Sequence, residues 1–150
     1  MTYREFLESK IDLATDSGFA VDRSKINPAL KPHQSDAVAW ALKGGRRALF
    51  EAFGLGKTVQ EIEFCYQAAV HEHGRALIVL PLGVKQEFTR DAVELLGYEK
   101  PEYCRTMEEV KACDSQIVLT NYERVRDGDI DPSYFAATSL DEASVLRSFG

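Results

Sequence analysis

With 150 residues, 45% of them hydrophobic and 28% charged, the chain has the size and balance of one globular domain, which excludes a disordered or fibrous polypeptide. A formal net charge of −6 excludes a general basic field for gripping nucleic acid, so any such contact has to be local. Apolar runs stay short of bilayer length, MTYREFLESK lacks the build of a signal peptide, and Cys65, Cys104 and Cys113 form an odd set without CxxC spacing, which together point to a cytoplasmic protein with reduced thiols.

In chain order, residues 2–16 read as a helix. Thr2 and Glu5 make a capping box, Tyr3, Phe6, Leu7, Ile11 and Ala14 share a face, and Gly18 stops it. Residues 19–30 connect, with a turn near Asn27-Pro28, and serve packing. The chain thus divides into an N-terminal helix and linker (1–29) and a main domain (30–150). In LKPHQSDAVAWAL, Pro32 suits the first turn of a helix, Val38, Trp40, Ala41 and Leu42 supply packing surface, and Gly44 and Gly45 end it. Gln34 falls in the first turn. A primary amide donates and accepts at once, the pair of bonds an adenine edge asks for; an exposed surface residue is the plain alternative.

Ala48, Leu49 and Phe50 then form a short apolar run, followed by EAFGLGKT (Glu51–Thr58). Val59, Ile62, Tyr66, Ala69 and Val70 recur beyond it at helical spacing, so the segment predicts strand, tight loop, helix. Gly54 and Gly56, with Leu55 between them, let the backbone curl. The loop N–H groups and the positive end of the helix make a cradle for phosphate oxygens. Lys57 adds charge at the outer phosphates, and the Thr58 hydroxyl completes the shell of a magnesium ion. Glu51 stands where a strict Walker pattern has its first glycine. The competing reading is a glycine-rich helix start that binds nothing.

ALIVL (Ala76–Leu80), ended by Pro81, reads as a strand covered on both faces. The next helix turns Val84, Phe88, Ala92, Leu95 and Leu96 inward and stops at Gly97. Glu102–Arg105 is a short strand, Thr106 and Glu109 form the capping box of another helix, and QIVLT (Gln116–Thr120) is a further buried strand. Parallel strands alternating with helices predict a three-layer α/β domain with its site at the carboxyl ends of the strands. Asp141 and Glu142 close a weakly apolar strand, Ala136–Ser139. One carboxylate can hold magnesium while the next polarises the attacking water, the alternative being a solvated surface pair. His33, His71 and His73 read as surface residues, and Lys43, Arg46 and Arg47 as a solvated helix end or a phosphate contact.

The order LKPHQ, FGLGKT, LIVLPL, IVLTNYE, LDEAS resembles the first RecA-like domain of superfamily-two helicases. Within them it is most similar to the Swi/Snf-type DNA translocases, and most of all to phage and prophage members. The resemblance spans essentially the whole chain and implies a mainly parallel P-loop domain that binds ATP and Mg2+. It implies that Gln34 reads adenine, that Gly54, Leu55, Gly56, Lys57 and Thr58 hold the triphosphate and metal, and that Asp141 supports magnesium while Glu142 activates water. Pro81, Leu82, Thr120, Asn121 and Tyr122 fall where that family touches the backbone of one DNA strand. Ser144 stands where DEAH-type members carry histidine.

The chain ends eight residues after Glu142, so the resemblance implies a domain truncated at its C-terminal end and a missing second RecA-like domain with its arginine fingers. The fragment alone is then expected to turn over negligible ATP. Two other readings stand beside this one: a non-catalytic nucleotide- or DNA-binding module complete at 150 residues, and a P-loop ATPase unrelated to nucleic acid.

Overall fold

The computed structural model describes residues 19–44 and 58–141. The expected helix over 2–16, the strand over 48–50, phosphate-loop residues 51–57 and everything from Glu142 onward lie outside them.

Strands β1 (Ala76–Val79), β3 (Ile117–Thr120) and β4 (Ala137–Leu140) are buried at every residue, while β2 (Glu102–Tyr103) is a half-buried edge. All pair in parallel, in the order β2-β3-β1-β4. Side-chain alternation splits the core between the two faces of this sheet. Ala76, Ile78, Leu80 and Leu119 join one apolar cluster, and Leu77, Val79, Val118 and Leu140 join the other. A sheet covered on both faces is why the strand sequences run apolar without a break. β4 is the exception, reading only ATSL. It is a full strand, paired along its length with β1: Ala137, Thr138 and Ser139 are small enough to be buried, and the Ser139 hydroxyl lies 3.4 Å from the Glu61 carboxylate.

Helix α1 (Pro32–Gly44) starts at the proline, as its fixed φ favours. Val38, Ala41 and Leu42 are buried, but Trp40 is 59% exposed, contrary to the expectation that it packs inward. At about 100° per residue it lies on the opposite side of the helix from the other three.

Helix α2 (Thr58–His71) forms where the helical spacing places it and packs on α1, β1 and β4. Ile62 and Ala69 are buried, Val59 and Tyr66 partly so, and Val70 near the end is exposed. Covered on several sides, α2 also buries Gln60, Glu61, Glu63 and Gln67. Burial of Glu63 is offset by donors: Asn27 N–H at 3.0 Å, Gln67 Nε2 at 2.7 Å and the Tyr98 hydroxyl at 2.5 Å. Asn27 donates in turn to the Leu96 carbonyl, so the linker is a packing segment as read from sequence. Beyond α2, a Cβ on Gly74 would stand 3.2 Å from the Ala136 Cβ. That close approach lets Ala136 N–H donate to the Arg75 carbonyl at 2.8 Å and start the β1–β4 register.

Helix α3 (Lys85–Arg90) widens into a π turn over Asp91–Leu95, where Leu96 N–H donates to the Asp91 carbonyl. Such a turn advances fewer degrees per residue than an α-helix. It swings Leu95 out to 57% exposure and brings Leu96 in at 6%, so of the expected inward set Leu95 alone faces solvent. Helix α4 (Met107–Ala112) is capped by Thr106, whose hydroxyl accepts from Glu109 N–H. The Glu109 carboxylate reaches back to Arg105 N–H, one residue before the cap. Helix α5 (Tyr122–Arg126) leaves directly from β3.

Candidate functional site

Neighbouring strands β1 and β3 send their chains to opposite faces. α3 and its π turn, after β1, bury Phe88 and Ala92 in one cluster, and α5, after β3, buries Val125 in the other. A parallel sheet opens a crevice at the carboxyl ends of strands whose connections diverge in this way. Pro81, Leu82, Thr120, Asn121 and Tyr122 all lie at that point.

Their side chains are differently committed. Pro81 is buried, while Leu82 is 54% exposed in a turn of 3-10 helix, Leu82–Val84. Thr120 is fully buried and its hydroxyl donates to the Cys104 carbonyl at 2.9 Å, fastening β2 to β3. Asn121 accepts the Tyr103 hydroxyl at 2.5 Å and donates to the Glu123 carboxylate at 2.7 Å. Tyr122 is half-buried, with the Arg126 guanidinium over its ring. Leu82 and Tyr122 therefore present side-chain surface, whereas Thr120 and Asn121 are committed to bonds that fasten the end of the sheet.

Helix α2 also starts at this end of the sheet. Thr58 is its first residue and is half-buried, and Glu61 is three residues further on. The Glu61–Ser139 contact sets this first turn against β4, two residues before Asp141. Asp141 is buried and its N–H donates to the Val79 carbonyl, which continues the ladder beyond the last strand residue. The hydroxyl-bearing helix start and the carboxylate thus belong to the same end of the sheet. Both are hard oxygen donors, the type that magnesium takes. Gln34, on α1, uses its amide oxygen to accept Lys31 N–H at 2.9 Å, which caps the helix start. A second lone pair and the NH2 group remain the chemistry available for a base edge. Gly54, Leu55, Gly56, Lys57 and Glu142 lie outside the described residues.

Sequence reading passed over a groove of about 740 Å3 along the sheet edge, flanked by Lys85, Gln86, Thr89, Arg90, Lys100 and Tyr103. The Lys85 ammonium sits 4.8 Å from the centre of the Tyr103 ring. The available signal was the Lys85-Gln86 pair directly after the PLGV turn. Among the described residues no group of three or more His, Cys, Asp or Glu is placed to hold a metal, and no helix is long and apolar enough to cross a membrane. Compared with known proteins, the chain matches no family model and no curated sequence.

Proposed function

We propose that this chain is the ATP-binding part of a DNA-dependent ATPase of the Swi/Snf-like helicase group, built on a RecA-like P-loop domain and coupling ATP hydrolysis to movement on DNA. The observation that carries the reading is the Ser139–Glu61 contact, which sets the start of α2 against β4 and so brings Thr58 and Asp141 to one end of the sheet. The divergent exits of β1 and β3 support it, since ligands of open parallel sheets bind outside the carboxyl ends of strands whose connections diverge.

In this reading Lys57 and the loop N–H groups bind the phosphates, and Thr58 and Asp141 hold magnesium through oxygen donors. Magnesium, when bound, neutralises phosphate charge. Glu142 orients water, and Gln34 bonds the adenine edge. Phosphoryl transfer rests on positioning and charge stabilisation, so these groups act by geometry and field rather than by covalent chemistry.

Lys57→Ala should reduce MgATP affinity at least tenfold, a loss of about 1.4 kcal/mol, while circular dichroism and the unfolding midpoint stay unchanged. Isothermal calorimetry on the two proteins measures it, and equal affinities would sink the assignment. A chain that binds MgATP through Lys57 but shows no DNA binding at low salt is instead a P-loop ATPase unrelated to nucleic acid.

A further inference from the structure

Cys104 follows the edge strand β2 and Cys113 terminates α4, and their sulfurs lie 4.0 Å apart. Neither thiol takes part in the site described above. We propose that Cys104 and Cys113 form an oxidation site, a dithiol that a small peroxide converts into an intramolecular disulfide tying the sheet edge to the end of α4.

The two thiols differ in access and surroundings. Cys113 is half-buried and Cys104 only 2% exposed, so a dissolved oxidant meets Cys113 first. Arg75 holds its guanidinium against Cys113. Nη2 donates to the sulfur at 3.0 Å, while Nε and Nη1 are fixed on the Ser115 and Val110 carbonyls at 2.8 and 2.7 Å. A cation clamped beside a sulfur binds it more strongly as negative charge builds there, the environment in which cysteines react. Burial, and then the neighbouring Cys113, push the Cys104 thiol up to about 12, so it stays protonated and serves as the second partner.

The chemistry balances in two steps. The Cys113 sulfur attacks one peroxide oxygen and the O–O bond breaks, forming the sulfenic acid, while the departing hydroxide takes the Cys113 proton and leaves as water. The Cys104 sulfur then attacks that sulfur, forming the S–S bond. The sulfenic oxygen leaves with the thiol proton, and water is the product. The two sulfurs give up two electrons to the peroxide.

Bonded sulfurs sit about 2 Å apart, so closing the gap needs roughly 2 Å of movement shared between two side chains. Cys113 is the C-cap of a six-residue helix with its N–H on the Glu109 carbonyl, so the movement falls to the two side chains. Cys65 is fully buried in the cluster on the other face of the sheet and provides an internal control.

The test is peroxide treatment of the folded 150-residue chain, followed by alkylation before and after denaturation, intact mass and peptide mapping. The expected result is the loss of two hydrogens, one cross-linked peptide pair carrying Cys104 and Cys113, and Cys65 alkylated only after denaturation. In Cys104→Ser the same treatment should leave a dimedone-trappable sulfenic acid on Cys113 and no cross-link. An unchanged mass, a sulfenic acid in the wild type without cross-linking, or pairing through Cys65 would overturn the proposal. The readout is independent of nucleotide binding.

Discussion

Gln34 has one duty in the structure, and the proposed function gives it a second. Its amide oxygen caps the start of α1 by accepting Lys31 N–H, and its NH2 is the donor that a base edge would use. The two duties separate by substitution. Gln34→Ala should cost about 0.5–1 kcal/mol of stability and narrow the preference for ATP over GTP. Gln34→Glu keeps the acceptor and the cap but loses the donor, so it should narrow the preference with little loss of stability. Urea midpoints and calorimetric affinities for both nucleotides check this, and unchanged discrimination in both variants would leave Gln34 a capping residue only.

At the scale of the element, the π turn after α3 decides which leucine belongs to the core. Leu96→Ala should destabilise the chain by about 2–4 kcal/mol, because a buried side chain leaves a cavity. Leu95→Ala should stay within about 0.5 kcal/mol, as exposed positions do. Paired denaturation curves separate them, and equal losses would mean that residues 91–95 continue as an ordinary α-helix. An α-helical count put both leucines inward, since periodicity assumes a constant advance per residue. Just past the turn, Asn27 donates to the Leu96 carbonyl and Tyr98 to Glu63, contacts remote in sequence that no local count contains.

Across the whole molecule, several neutral acids are held protonated by burial. Tyr98 is raised above its usual 10.0 by desolvation and then by its bond to Glu63. Cys65 is raised well above 9.0 by burial and then by Glu61. Cys104 is pushed up to about 12, by burial first. In each case the unfolded chain releases its proton at a lower pH than the folded one. Their contribution to stability is therefore complete below about pH 9 and declines as pH rises through 9 and 10 toward 12. Urea midpoints between about pH 7 and pH 11 should fall steadily above 9, and Tyr98→Phe should flatten the part of the slope above 10. A midpoint that holds or rises over that range would show that these groups titrate alike in both states.

The sequence by itself determined the α/β class, the buried strands β1 and β3, the helix beginning at Thr58 and the Thr106 cap, because apolar runs, helical spacing and capping chemistry are local. It also marked Asp141 as the end of a strand, although ATSL looked too polar to be one. What only the tertiary structure decided was which residues meet. Ser139 is a core residue because Glu61 faces it, and Trp40 is a surface residue because its neighbours on α1 turn the other way. Thr120 and Asn121 brace β2 and Tyr103 through bonds that cross the sheet. The pairing of Cys104 with Cys113 likewise depends on where Arg75 and α4 come to rest. Periodicity reports which way a side chain faces within its own element, and only packing fixes what stands opposite.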